Sequence, residues 1–449
     1  MTSKSTTATA ETERTLERIE RENPRLNAFV TVLRDTALAE AALVDVRRAA
    51  GDEARPLAGM AIGVKDLIDV AGAPTGCGSL TRRNSPPAET DAPVVDRLRA
   101  AGAIIAGKTH TVEYAFGGYG TNVTVGTPWN PWDTTVHRIP GGSSSGSGVA
   151  VGGRLLRAAL GTDTGGSVRI PAALCGCVGL KTSVGRVART GVAPLSQLLD
   201  SVGPLAEDVT TAARLFAVMQ GPDAGDKTTI GIEPVDPMPE LDRGVKGLRL
   251  GRIADRDLPL LSDEVKADFA AATARLEALG ASIEPVELSG NIDTWGNLCG
   301  QFIAAECYAN WQALADDPRS GLADPIRARM LIGKRISSAQ YIQALAARET
   351  AIKAFLHSID RLDAIILPTI AFPAMPVAEV DETRAPMAMY TRWVNYLNLA
   401  GLAVPTALSR NGLPMSLQIV VRRLEEPLAL RIGYAFEQAR GAFPAPPAA

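Results

Sequence analysis

The sequence predicts an α/β fold: one domain built on a central, twisted, mixed β-sheet flanked by α-helices. Three observations carry this. Short apolar runs of strand length alternate along the chain with longer stretches of helical period. No obvious linker or internal repeat divides the 449 residues, although the length alone would allow two or three domains. Hydrophobic residues make up 46% and charged residues 21%, the balance of a globular chain with a large core.

Taken in order, residues 1–10 are polar and are expected to form a frayed tail, with a single domain over 11–449. Residues 11–22 read as a helix stopped by Asn23-Pro24. Residues 35–50 read as an amphipathic helix with Leu38, Ala42, Leu43 and Val46 among its apolar positions. Residues 60–64 form a buried strand with Lys65 at its C-terminal end, where open α/β sheets build sites. A helix over 92–101 and a strand over 103–106 follow, then a loop to Gly120. Residues 127–133 are a rigid Pro-rich turn, 149–160 a helix of about three turns, and 168–180 an apolar core segment. Residues 200–205 read as a Gly-Pro turn, 207–219 as a helix, and 220–244 as a Gly/Pro/Asp-rich connection. A strand over 247–253 and a helix over 263–279 lead to 285–345, expected to be helices capping a cleft. The aromatics there, including Trp295, Phe302, Trp311 and Tyr341, fit helix–helix packing in the main. Strands over 363–369 and 415–420 and a helix over 428–440 close the chain.

Lys and Arg total 46 against 49 Asp and Glu, a net charge of −3, so no basic field points to nucleic acid or a membrane surface. Five cysteines are too few and too scattered for a disulfide framework, and they point to a reducing, cytoplasmic setting. No Cys-x-x-Cys or histidine cluster suggests a metal, and no cofactor motif is present. No secretory leader or run of about eighteen apolar residues is seen.

The chemistry concentrates in two hydroxyl-rich glycine loops. The first is Gly141-Gly142-Ser143-Ser144-Ser145-Gly146-Ser147-Gly148, and the second is Gly161-Thr162-Asp163-Thr164-Gly165-Gly166-Ser167-Val168-Arg169. Alone, the first would pass for a linker. Paired across a packed aliphatic segment, the two describe a serine nucleophile beside successive N–H donors, the outline of an oxyanion site. A Gly-x-x-x-x-Gly-Lys-Ser/Thr phosphate loop is absent. None of His110, His137 and His357 stands in an obvious triad context. A lysine kept neutral by burial can replace histidine as the base, and Lys65 is the candidate. The plain alternative is that Lys65 snorkels out of the sheet.

These two loops, the Cys-Gly-x-Val-Gly-Leu-Lys run from Cys175 to Lys181, and the upstream Val64-Lys65-Asp66 resemble the amidase signature family, from about Leu26 to the last helix. Ser145 departs from many members, which have glycine there. The resemblance implies a Ser-cisSer-Lys triad of Ser167 as nucleophile, Ser143 as bridging serine and Lys65 as base. It implies oxyanion donors at Thr164, Gly165, Gly166 and Ser167, and substrate contacts at Phe116, Gly117, Tyr119 and Ser144. Asp163 and Arg169 would brace the loop, or Arg169 would bind a substrate carboxylate. The implied activity is hydrolysis of a small amide, and of esters or carbamates (a urethanase), without cofactor or metal, as a monomer or homodimer. The alternatives are the glutaminase-like component of a tRNA-dependent amidotransferase, a carboxybiuret or allophanate-type hydrolase, and a catalytically silent binding module.

Overall fold

The structure is a computed structural model and describes residues 7–51, 55–384 and 386–448. Most of the expected polar tail, residues 1–6, lies outside these. The chain opens with α1 (Ala8–Leu26), β1 (Phe29–Val32), α2 (Arg34–Ala49), β2 (Ala61–Lys65), α3 (Pro93–Ala100) and β3 (Ile104–Thr109). Next come α4 (Ser145–Gly152), β4 (Ala158–Asp163), α5 (Arg169–Cys175), β5 (Val178–Lys181), β6 (Ser201–Ala206) and α6 (Val209–Met219). The rest is β7 (Arg249–Arg252), α7 (Asp263–Ala278), β8 (Ser282–Pro285), α8 (Ile292–Asp316), α9 (Asp324–Gly333), α10 (Ser338–Ser358), β9 (Ala364–Pro368), α11 (Met389–Tyr396), β10 (Ala400–Leu408), β11 (Pro414–Val421) and α12 (Glu426–Arg440).

Among the described residues the strands form one 11-stranded sheet in the order β1-β3-β2-β4-β6-β5-β10-β11-β9-β7-β8. The sheet is mixed, as expected: β3-β2-β4 and β9-β7-β8 run parallel and the remaining pairs antiparallel. Strands β3 and β4 are buried throughout, as helices on both faces of a parallel segment require. Among the described residues no helix is long and apolar enough to cross a membrane.

Several expectations need correction. Helix α1 starts at Ala8, capped by Thr7, and continues through Pro24 to Leu26. Termination comes from Asn27 in the left-handed region, whose N–H bonds the Asn23 carbonyl at 2.7 Å. On α2 the buried stripe is Ala37, Ala41 and Val44, while Leu43 and Val46 are 56% and 65% exposed. The alanines pack with Ile104 and Ala106 of β3, and Glu40 of the same helix accepts the Ile105 N–H. The helix expected over 149–160 is only eight residues long, starting inside the serine loop at Ser145. Gly152-Gly153 end it, and Ala158–Leu160 belong to β4, inserted between β2 and β6. The Gly203-Pro204 segment, expected to be a turn, is the middle of β6, with Pro204 opposite Leu160. Strands β1, β8 and β10 were not anticipated.

Candidate active site

Strand β2 lies between β3 and β4, so Lys65 leaves its C-terminal end at the centre of the parallel segment. Lys65 Nζ donates to Ser143 Oγ at 2.8 Å and to Thr162 Oγ1 on β4 at 2.7 Å. All three side chains are buried. Burial lowers the Lys65 pKa from its ordinary 10.5 to about 7, against the opposing pull of Asp200 and Asp163. The lysine is therefore held inward by two hydroxyls and does not snorkel.

The first loop is fixed by its backbone. The Gly142–Ser143 peptide is cis, and the Ser143 carbonyl accepts from the Val112 N–H and from Thr111 Oγ1, each at 3.1 Å. The Gly146 position tolerates no side chain, because a Cβ there would fall 2.2 Å from the Ala28 carbonyl oxygen. The Ser144 N–H donates to the Ser167 carbonyl at 3.2 Å, which ties the two loops together. Ser167 keeps 8% exposure while Ser143 and Lys65 have none, so of the three only Ser167 can be reached from outside. Among the described residues Ser167 Oγ has no hydrogen-bond partner.

Asp163 organises the second loop. Its Oδ1 accepts from Gly166 N–H at 2.8 Å, Arg169 Nη2 at 2.9 Å and Asn395 Nδ2 at 2.9 Å; its Oδ2 accepts from Val168 N–H at 3.2 Å and Arg169 Nε at 3.0 Å. Burial alone would raise this carboxyl, but the Arg169 guanidinium and these donors hold it far below the usual carboxylate range. Arg169 is fully buried and also donates to Asn395 Oδ1, Gln418 Oε1 and the Thr391 carbonyl. Its donors are all spent internally, so none remains for a substrate carboxylate. Gly166 sits at φ +127°, and a Cβ there would lie 2.1 Å from Thr391 Oγ1.

Three expected site residues do not take the expected places. The Gly166 N–H is committed to Asp163, leaving the Thr164, Gly165 and Ser167 N–H groups without partners among the described residues. Ser144 is fully buried and its Oγ bridges Thr162 N–H and carbonyl, each at 3.3 Å, so it braces the sheet and does not face a ligand. Tyr119 packs in a cluster with Trp132, Ile139, Ile170 and Leu174, its hydroxyl on the Asp381 carbonyl, because the chain enters the serine loop through that apolar cluster.

A cavity of about 760 Å³ lies across Arg392 from the second loop, and no residue of that loop lines it. Phe116 lines it together with Asn297, Gly300 and Gln301 of α8, Arg329 and Ile332 of α9, and Arg392 of α11. Gly117 is next to this wall, against Val112 and Arg329, but does not line the cavity. Arg392 forms the boundary with the loop: its Cγ is 3.1 Å from where a Cβ on Gly165 would be. Sequence reasoning singled out none of Thr162, Asp200, Thr391, Arg392, Asn395 and Gln418, although the family resemblance implies that the run from Tyr390 to Leu402 approaches the site. Thr162 lies inside the second glycine loop and was open to inspection. Asp200, which accepts from Thr164 Oγ1 at 2.6 Å, and the residues of α11 and β11 carry no local signal, because only the folded sheet brings them to the loop.

A buried lysine, a serine loop and a second glycine-rich loop brought together on one mixed sheet are the arrangement of a hydrolase. The chain matches the Amidase family model over residues 10–430 and belongs to the amidase signature family. It is 36% identical to the A subunit of glutamyl-tRNA(Gln) amidotransferase from Thermosynechococcus vestitus, over 97% of this chain and 95% of that one. Among solved structures it resembles the peptide amidase of Stenotrophomonas maltophilia (TM-score 0.86, 31% identity, 98% of this chain and 95% of that one). It also resembles a protein of a vestigial complex connected with the evolutionary origins of an s-triazine catabolic enzyme (TM-score 0.91, 31% identity, 96% of this chain and 95% of that one).

Proposed function

We propose that the chain hydrolyses the C–N bond of a small amide through an acyl-enzyme on Ser167, with esters and carbamates as further substrates. The observation that carries this is the buried Lys65 Nζ at 2.8 Å from Ser143 Oγ, with its pKa lowered to about 7. At neutral pH a large fraction of such a lysine is neutral, as a base must be. In the proposed sequence Ser167 Oγ attacks the carbonyl carbon while its proton passes to Ser143 Oγ and the Ser143 proton passes to Lys65 Nζ. The Thr164, Gly165 and Ser167 N–H groups receive the oxyanion. The relay then protonates the departing nitrogen, and water repeats the sequence in reverse to free the acid. Asp163 and Arg169 act as positioning residues that hold the second loop.

Helices α8 and α9, within the 285–345 segment, supply much of the cavity wall, which supports their role as the substrate-selecting cap. Purified protein is tested against linear amides, aryl esters and carbamates, with Ser167→Ala as control. Release of ammonia or amine that is lost in Ser167→Ala is expected; release undiminished in that variant defeats the proposal. The similarity to the amidotransferase A subunit favours a second reading, a glutaminase-like component that needs partner chains. Ammonia release from glutamine only after partner chains are added would decide for it.

A further inference from the structure

Arg392 is the unusual group on the cavity. Among the described residues it has no hydrogen bond and no ion pair, although it sits partly buried between α8 and the nucleophile loop. Its Nη1 is 3.5 Å from where a Cβ on Gly300 would be, and Gly165 and Gly300 leave the room it occupies. The other charges on the cavity are Asp324, Arg329, Glu382 and Arg384. Glu382 is already taken, by Arg329 and by Thr121 Oγ1. Arg329 also donates to the Phe116 carbonyl at 2.7 Å. Burial lowers the Arg392 pKa, and the titratable neighbours that matter are the Cys299 thiol and Arg329, with no carboxylate among them. A guanidinium partly withdrawn from water without a protein partner leaves donors free for a ligand in the cavity. A fold retains one where a ligand completes it, and the planar fork of arginine suits a carboxylate held by two parallel hydrogen bonds.

We infer that Arg392 selects substrates: it binds a carboxylate carried by the small amide whose reacting carbonyl lies at Ser167. This rests on the proposed hydrolase reading for the reacting end, and it narrows the substrate class to amides bearing an anionic group. The test uses Ser167→Ala protein, in which turnover cannot interfere. Calorimetry compares malonamate, succinamate and glutaramate with the matching neutral diamides. At least one monoanion is expected to bind ten-fold or more tightly than its diamide. Arg392→Gln in the same background should abolish that preference, and Arg392→Lys should keep part of it, with unchanged melting temperatures showing an intact fold. Equal or better binding of every diamide, a preference that survives Arg392→Gln, or no binding of any of the six compounds overturns the inference. Failure of the hydrolase reading is read separately, as wild-type protein that releases no ammonia while the anion preference persists.

Discussion

Replacing Lys65 with methionine should give an inactive protein that is more stable at pH 7 and loses that advantage by pH 9.5. Lys65 has a folded pKa of about 7 against an ordinary 10.5. Between these values the unfolded chain binds more protons than the folded one, so the lysine costs stability at low pH and the cost fades as pH rises toward 10.5. Each pH unit of separation corresponds to about 1.4 kcal/mol, which gives a cost of roughly 4 kcal/mol at pH 7 and about 1 kcal/mol at pH 9.5. Methionine removes that cost but also removes the two hydrogen bonds to Ser143 and Thr162, each worth about 1 kcal/mol. The net effect is a gain of about 2 kcal/mol at pH 7 and a loss of about 1 kcal/mol at pH 9.5. Other titrating groups act alike in both proteins and cancel in the difference. Urea unfolding of wild type and Lys65→Met at the two pH values measures it. A stability difference that does not change with pH would mean that Lys65 is charged in the folded protein and is not the base.

Ser143→Ala should lower kcat by roughly 10²–10⁴, the usual worth of one positioned proton transfer, with little change in melting temperature; a near-normal rate in steady-state assays would mean that Lys65 reaches Ser167 without it. Trp295→Ala should act on folding and leave substrate ranking alone. The ring is 5% exposed and packs edge-on against Phe355 at 5.7 Å and beside Trp393 at 6.5 Å, so a loss of about 3–5 kcal/mol in denaturant unfolding is expected. A stable variant with reordered substrates would show instead that this ring touches the ligand.

The outline of the candidate site was legible because it is written in local runs. Glycine loops, a strand ending in lysine, and their order along the chain need no tertiary information. The strand bearing Lys65 and the helices α3, α6, α7 and α12 followed from periodicity for the same reason. What failed depended on packing partners. A small-residue and aliphatic run with two arginines, such as Val149–Leu160, does not reveal that Gly152-Gly153 divide it into helix and strand. The buried face of α2 is the alanine side because β3 approaches closely there, and its larger residues are left outward. Ser144 and Tyr119 looked like ligand contacts by position but turned inward, toward β4 and the Trp132 cluster respectively. Arg392, partly buried with no side-chain partner among the described residues, cannot be told from any other arginine until the charges around it are known.

Covalent labelling tests the central claim most directly. A fluorophosphonate reacts with an activated serine, and peptide mapping reports which one. Wild-type protein should carry the label on Ser167, at a rate that rises with pH through about 7 as Lys65 loses its proton. Labelling should vanish in Ser167→Ala and be strongly slowed in Lys65→Met. A label on another residue, or one that persists in Ser167→Ala, would contradict the assignment of the nucleophile and with it the mechanism.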